Sequence, residues 1–455
     1  MSIQFRGSVD GPGREPGGDV RLRPRAGVVS DKSTLRLKEF GPGIQSGAAT
    51  GLAALLTATT PAMRSTIEAI PAAGQAGFND NACTAVGLSA QADGHSARKS
   101  IMERQYYLDL ANGGLRMPIG ADLVLHEEPD SESVLLDAER LGRVVEKAAR
   151  RYRTPLAFPL MDLRLEKADL LAFCGIEESK TDLFHFKEPP PQELVESVKH
   201  AARRPFSARI SANQDAVRYI AERTDLLPVG MLIGPFSLMT KLVADPIAPV
   251  AMAGSGVTAA EDEGVCTVER CLELAVATVM RSALAQMEAG AKAIIVCEPA
   301  ANTVYLSPRQ MRSGADILDR FVLGPNRRWR ALLAQHGVDL IFHDCGELLP
   351  EMIRQFALQL QPAMISLGSS RKLWEDAAVV PKDIVLYGNL PTKTFYSDEA
   401  MPVAEVERRT LELTGQMRAC GHPHILGSEC DVLHVADAAQ TIRRKVDVML
   451  TAGRS

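Results

Sequence analysis

The 455-residue sequence lacks the features that would assign it to several common protein classes. It has only eight cysteines, too few for the disulfide framework of a small secreted domain. No apolar run reaches the roughly 18 residues that a membrane-spanning helix needs. No run of lysine or arginine marks a surface for nucleic acid or an anionic membrane, and the net charge is -5. We therefore predict a cytoplasmic protein that binds a small molecule or another protein, with no nucleic acid and no membrane among its partners.

The first part of the chain, residues 1–98, differs in composition from the rest. It contains the stretch GSVDGPGREPGGDVRLRPRAG, followed by sequence rich in alanine, glycine, threonine and serine. Such a composition buries little apolar surface and predicts a flexible or poorly structured segment. We expect a low-complexity extension over 1–98, with an interaction arm as the alternative, and a globular domain over 99–455.

From Met102 onward, short apolar runs rich in β-branched residues alternate with amphipathic stretches such as 267–289. Strands that alternate with helices predict an α/β fold with a parallel sheet. Eight strands favour a closed (β/α)8 TIM barrel over an open doubly wound sheet, since no glycine-rich dinucleotide motif follows an early strand. The predicted strands are 156–161, 206–211, 229–234, 291–298, 338–345, 363–368, 383–389 and 424–429.

Two potential metal ligands follow one buried run, in the stretch VDLIFHDCGELL. His343 and Cys345 are one residue apart, so in an extended segment they face the same side while Asp344 faces the other. Cys430 follows a later strand, and the carboxyl ends of barrel strands converge. One imidazole and two thiolates form a zinc-preferring set that leaves a fourth position open. The alternative is a pair of small core cysteines beside a hydrogen-bonded histidine.

An acidic residue, Glu298, follows another buried run in AIIVCEPAAN. A carboxylate at a strand end could orient a metal ligand, or act as a fourth ligand that leaves when substrate arrives. It could equally be a solvated loop acid or the cap of a helix. The sequence alone leaves these roles open.

Several blocks resemble those of the uroporphyrinogen decarboxylase superfamily, over about residues 102–450. The similarity is strongest to its zinc methyltransferases that act with methylated corrinoid proteins, of the methylcobamide:coenzyme M type. The early block LAFPLMDLRLEKADL places Asp162 and Glu166 in the family pattern. The other blocks are MLIGPFSLMTKL (231–242), CEPAANTVYLSPRQM (297–311), LIFHDCGELLPEMI (340–353), VLYGNLPTKTF (385–395) and HILGSECDV (424–432).

This resemblance implies a function and a set of site residues. The expected reaction is a zinc-dependent methyl transfer to or from methylcobalamin on a corrinoid partner protein, with a thiol or tetrahydrofolate as the second substrate. The expected roles are zinc ligation by His343, Cys345 and Cys430, catalysis by Glu298 and Asp162, and substrate binding by Tyr387, Asn389 and Gly234.

The sequence departs from the true decarboxylases of this superfamily, which carry an arginine-rich segment of the MRQAGRY type. The corresponding stretch here offers only Arg104 and Arg116. Three alternatives remain open at this point. They are methyl transfer from an ether, thioether, amine or halide to a corrinoid or to tetrahydrofolate, decarboxylation of a porphyrinogen, and metal storage or sensing without turnover.

Overall fold

A computed structural model describes residues 104–201 and 203–454 of the chain. The predicted N-terminal extension over 1–98, with its boundary, lies outside the described residues. Within them, eight strands form one parallel sheet. The strands are β1 (Arg116–Ile119), β2 (Leu156–Ala157), β3 (Leu227–Ile233), β4 (Ala293–Cys297), β5 (Asp339–Asp344), β6 (Met364–Leu367), β7 (Val385–Leu390) and β8 (His424–Asp431).

The sheet has the strand order of a TIM barrel. Each strand from β2 to β7 pairs in parallel with the next along the chain, and β8 returns to pair with β1. Between β1 and β2, no ladder is assigned within the described part of the chain. The predicted α/β barrel architecture is therefore confirmed, with the ring of hydrogen bonds interrupted at one place.

Helices connect consecutive strands and cover the outside of the barrel. Short 3-10 turns lie at Glu178–Lys180, Thr392–Thr394 and Ala436–Ala438, and a π-helical segment at Asp319–Leu323. The α-helices with assigned bounds are Ala121–Leu125, Ser131–Val134, Ala138–Arg151, Leu165–Phe173, Gln192–Lys199, Ala208–Arg223, Pro235–Leu242, Ile247–Ala253, Glu263–Glu288, Pro308–Arg312, Gly324–Gln335, Pro350–Leu360, Leu373–Asp376, Val403–Cys420 and Ala439–Thr451.

One predicted strand is wrong and one strand was missed. The segment 206–211 lies largely in the helix Ala208–Arg223, whose N-cap Ser207 accepts a hydrogen bond from the Ile210 amide. The alternation of apolar and polar residues there resembled a strand because this cap was not recognised. Strand β1 was missed because it is short and contains Pro118, which has no amide hydrogen to donate to a ladder.

The core has two layers, separated by the strands. Alternate residues of all eight strands fill the barrel interior, and the opposite positions pack against the helices. On β5 the interior positions continue from Ile341 to His343 and then Cys345. The interior at the carboxyl ends of the strands, hereafter the barrel mouth, thus receives the side chains predicted to bind metal.

No helix in the described ranges combines the length and the apolarity that would let it cross a bilayer.

Candidate metal centre

Three predicted ligands meet at the barrel mouth. One ligand atom each from His343, Cys345 and Cys430 lies within 4.8 Å of the others. The two sulfur atoms are 3.9 Å apart, although Cys345 directly follows β5 and Cys430 lies on β8, 85 positions later in sequence. These three residues, hereafter the triad, form the only such group of potential metal ligands among the described residues.

The His343 side chain has one free ring nitrogen. It is 1% exposed, and its Nδ1 lies 2.8 Å from Ser366 Oγ on the paired position of β6. The other nitrogen, Nε2, is buried without a hydrogen-bond partner in the described structure. With Nδ1 donating its hydrogen to Ser366, Nε2 keeps the lone pair that a metal requires. An unpaired buried nitrogen is costly unless it has a ligand, so the triad fits a zinc ion.

The electrostatics of the triad favour a thiolate at Cys345. A hydrogen bond from Cys430 lowers the pKa of the Cys345 thiol well below its usual range, and His343 adds to the shift. Lys393, whose Nζ lies 3.9 Å from Cys345 Sγ, contributes further. The pKa of Cys430 is raised, because it is the proton donor of the pair and is buried. Without a metal the two sulfurs thus share one proton, which a cation would displace on binding both as thiolates.

Asp344, between the two β5 ligands, has a structural role. Its Oδ1 accepts a hydrogen bond from the Gly346 amide at 2.8 Å, and burial raises the pKa of the carboxyl. It is not part of the triad. The expectation that it faces away from the metal ligands is confirmed.

Glu298 caps a helix in the structure. Its carboxylate accepts hydrogen bonds from the amides of Phe236 and Ser237 at 3.1 and 2.8 Å and from Asn326 Nδ2 at 2.9 Å. The two amides begin the helix Pro235–Leu242, where a negative charge is stabilising. Gly234, just before this helix, leaves room for the carboxylate, because a Cβ there would overlap Glu298. A catalytic role for Glu298 stays a prediction.

Tyr387 and Asn389 bind backbone carbonyls near the end of β7. The Tyr387 hydroxyl donates to the Met117 carbonyl at 3.0 Å, and the side chain is 1% exposed. Asn389 Nδ2 donates to the carbonyls of Gly368 and Arg371 at 2.7 and 2.8 Å. The Tyr387 bond links β7 to β1 across the intervening β8, and the Asn389 bonds link β7 to the loop that follows β6. Contact of either residue with substrate stays a prediction, as it does for Gly234.

Asp162 approaches the triad through its chain neighbour Met161, and none of the three triad residues lines the cavity at Asp162. Asp162 lines a cavity of about 220 Å³ together with Met161, whose sulfur is 3.7 Å from Cys430 Sγ. Its Oδ2 accepts a hydrogen bond from Arg209 Nη2 at 2.9 Å. The predicted catalytic acid therefore has access to a cavity adjoining a potential metal ligand.

The second acid of the early block, Glu166, should make stability depend on pH. Burial raises its pKa to about 7, and Ser282 donates to it at 2.9 Å. The folded protein holds this proton more tightly than the unfolded chain, so stability is greatest below the ordinary pKa of 4.5 and falls as pH rises to about 7. We expect Glu166→Gln to remove up to about 3 kcal/mol of this loss, measured by urea unfolding from pH 5 to 8. Parallel curves of unfolding free energy against pH for the wild type and Glu166→Gln would contradict this prediction.

A family model supplies the identification. The model of uroporphyrinogen decarboxylase (URO-D) matches residues 137–448, more than half of the chain. The chain belongs to the uroporphyrinogen decarboxylase family. This confirms the resemblance seen in the sequence blocks, and the matched range includes the whole triad.

A solved structure supports the same fold for this URO-D family member. A methyltransferase from Methanosarcina mazei aligns with a TM-score of 0.52 and 15% identity, covering 74% of this chain and 93% of that chain. At this identity the likeness shows the fold alone. No curated protein matches the chain significantly.

Four residues at this URO-D site were missed by the sequence reasoning. Ser366 pairs with His343 across the strands, and its detection needed the β5–β6 register. Lys393 stands in the quoted block VLYGNLPTKTF but reaches Cys345 only through the fold. Arg209 was assigned to a strand that is a helix, and Asp431 directly follows Cys430. Only Asp431 could have been found from the sequence, because it is the chain neighbour of the predicted ligand Cys430.

Proposed function

We propose that this URO-D family member is a zinc-dependent methyltransferase. It would activate a thiol-type nucleophile on Zn²⁺ and transfer a methyl group from, or to, methylcobalamin on a corrinoid protein. The single observation that carries the proposal is the triad, with three ligand atoms within 4.8 Å and an unpaired His343 Nε2. The fold shared with a methyltransferase supports it.

The composition of the triad suits this chemistry. One neutral imidazole and two thiolates balance the double charge of zinc and leave one position open. Zinc bound there would lower the pKa of a substrate thiol while leaving its sulfur nucleophilic. Ser366 keeps His343 in the tautomer that presents Nε2, and Lys393 stabilises negative charge at Cys345.

The methyl transfer balances without an external oxidant or reductant. The substrate sulfur supplies the electron pair of the new S–C bond, the Co–C bond breaks, and its pair stays on cobalt. The thiol proton must leave, and Asp162 would accept it from the cavity next to Cys430. The products are a thioether and the reduced corrinoid.

The charges near the triad disfavour a porphyrinogen substrate. Uroporphyrinogen carries acetate and propionate groups, which need arginines or lysines around them. The cavity next to Met161 is lined by the carboxylates of Asp122, Glu132 and Asp162 and by one arginine, Arg209, while burial raises the pKa of the fourth acid, Asp431, to about 8. Like charges at this distance repel, so decarboxylation of a polyanionic tetrapyrrole fits this surface poorly.

Metal analysis followed by a methyl-transfer assay tests the proposal. We expect about one zinc per chain in the purified protein, and demethylation of free methylcobalamin when a thiol is added. Chelation should abolish the reaction, and zinc should restore it. A chelated protein that stays fully active, or zinc-loaded protein inactive with every thiol and every methylcorrinoid, would overturn the proposal.

A further inference from the structure

A second cavity, of about 760 Å³, lies at the amino end of the barrel. Arg116 and His424, the first residues of β1 and β8, both line it. Arg418, from the last turn of the helix that leads into β8, lines it as well. The amino ends of the strands are opposite the barrel mouth, so this cavity is separate from the triad. Its volume lies in the range of about 300–1,000 Å³ that small-molecule sites occupy.

Basic side chains and no acidic ones line this cavity, hereafter the basic cavity. They are Arg116, Arg418, Arg454, His422 and His424. Within the described part of the chain, none of the three arginines forms an ion pair with a carboxylate. A fourth cation lies close by, because a Cβ placed on the lining residue Gly421 would be 3.9 Å from Lys382 Nζ. The cavity therefore concentrates positive charge that the described residues do not neutralise.

The three guanidinium groups keep donors for a ligand. Arg116 Nη1 donates to the Ala452 carbonyl at 2.6 Å, and Arg454 Nη2 donates to the Gly114 carbonyl. Arg418 has neither a hydrogen bond nor an ion pair from its side chain to any described residue. A guanidinium has five N–H donors, so most of these donors lack a protein acceptor. Carbonyl oxygens hold Arg116 and Arg454 in place without cancelling their charge.

The charges around the basic cavity are close enough to affect one another. Burial lowers the pKa of Arg116, and Arg454 and Arg418 lower it further. Burial also lowers the pKa of His424 to about 4, with His422 and Arg116 adding to the shift, so His424 is neutral near neutral pH. The arginines stay protonated and repel one another. An anion between them would replace this repulsion with attraction.

We propose that the basic cavity binds a small molecule that carries two linked phosphate groups. The arginine fork matches phosphate oxygens in pairs, and a diphosphate presents enough oxygens for three forks at once, which a single carboxylate does not. The three arginines come from separate elements: the start of β1, the end of the helix Val403–Cys420, and the chain after the helix Ala439–Thr451. They can therefore surround one compact polyanion.

The rest of the lining leaves room for an organic part of the ligand. Leu115, Met417 and Leu426 contribute apolar surface to the same cavity. A phosphorylated molecule could thus place its phosphates at the arginines and a less polar group against these side chains. Reactions in barrels of this kind take place at the carboxyl ends of the strands, so the ligand would be bound without being a reactant. The inference goes beyond the proposed methyl transfer and does not depend on it.

Calorimetry with inorganic pyrophosphate as the probe tests the inference on the full chain. At an ionic strength of about 0.15 M, where charges further apart than about 8 Å are screened, we expect a Kd at least about tenfold below those of phosphate, sulfate and citrate. Tighter binding of citrate would overturn the phosphate class. Phosphate binding as tightly as pyrophosphate would overturn the requirement for two phosphates, and no binding of any anion would overturn the site.

A second titration separates the basic cavity from the triad. Pyrophosphate also coordinates metal ions, so the measurement is repeated on chelator-treated protein. We expect the same Kd with and without metal, because the arginines at the amino end of the barrel do not contact the triad. Binding that is lost with the metal would place pyrophosphate at the triad and overturn the inference.

Two variants assign the binding to the proposed residues. Arg418→Gln and Arg454→Gln should each raise the Kd for pyrophosphate at least about tenfold, since each removes a hydrogen bond between charged groups. Arg312→Gln is the matched control, because it removes the same charge from an exposed arginine outside the cavity, and it should change the Kd less than about twofold. Equal losses in all three variants, or none in the two cavity variants, would overturn the assignment. Both cavity arginines are exposed, and the wild-type preference among anions decides the question if a variant fails to fold.

Discussion

Replacing Cys345 with alanine should remove bound zinc and abolish methyl transfer. Cys345 supplies one of only two sulfurs in the triad, and the Cys430 sulfur 3.9 Å away would lose its partner. Loss of an outer partner of a metal ligand typically costs 10–100-fold in affinity or activity, so loss of the ligand itself should cost more than about 100-fold. Zinc per chain and the rate of methylcobalamin demethylation measure the effect.

Two comparison variants make this result specific. Cys420→Ala removes a thiol that donates to the Met417 carbonyl, packs against the core and is not part of the triad, so it should keep both zinc and activity. Ser366→Ala removes the partner of His343 Nδ1 and should weaken zinc binding by about 10–100-fold without abolishing it. Full zinc content and full activity in Cys345→Ala would refute the proposed metal site.

The fold could be predicted because its pattern is local. Seven of the eight predicted strands overlap observed strands, since buried parallel strands appear as short continuous apolar runs. The two errors have local causes as well. The Ser207 cap made a helix start look like a strand, and Pro118 disguised β1. A barrel with one strand misplaced still has the right architecture, because the other strands and crossover helices determine it.

The site could be predicted only where sequence spacing carries the geometry. The one-residue spacing placed His343 and Cys345 on one side, and the structure brings Cys430 to them. Glu298 sits at the expected strand end, yet its carboxylate contacts a helix start on the outer layer. Strand position alone does not tell which layer the next side chain enters. The position of Arg209 could not be predicted because the helix that begins at Ala208 was not recognised. Its contact with Asp162 is visible only in three dimensions.

Replacing Gly234 with alanine should strongly destabilise the protein. Gly234 has φ -73° and ψ 157°, which any residue adopts, so the cost is steric rather than conformational. The new Cβ would overlap the carboxylate of Glu298, which is fully buried and held by Phe236, Ser237 and Asn326. Displacing it leaves several buried groups unpaired, at about 1–3 kcal/mol each. We expect a loss of at least about 4 kcal/mol in the free energy of unfolding, measured by urea denaturation.

A double-mutant cycle separates this structural role from substrate binding. Glu298→Ala removes the group with which the new Cβ collides, so Gly234→Ala should cost much less in that background. Gly415→Ala is the control, because nothing lies within 4 Å of a Cβ there and the position is helical. It should be neutral or stabilising by up to about 1 kcal/mol. If Gly234→Ala instead left stability intact and raised only the KM for the thiol, Gly234 would be a substrate contact, and the collision with Glu298 would not govern this position.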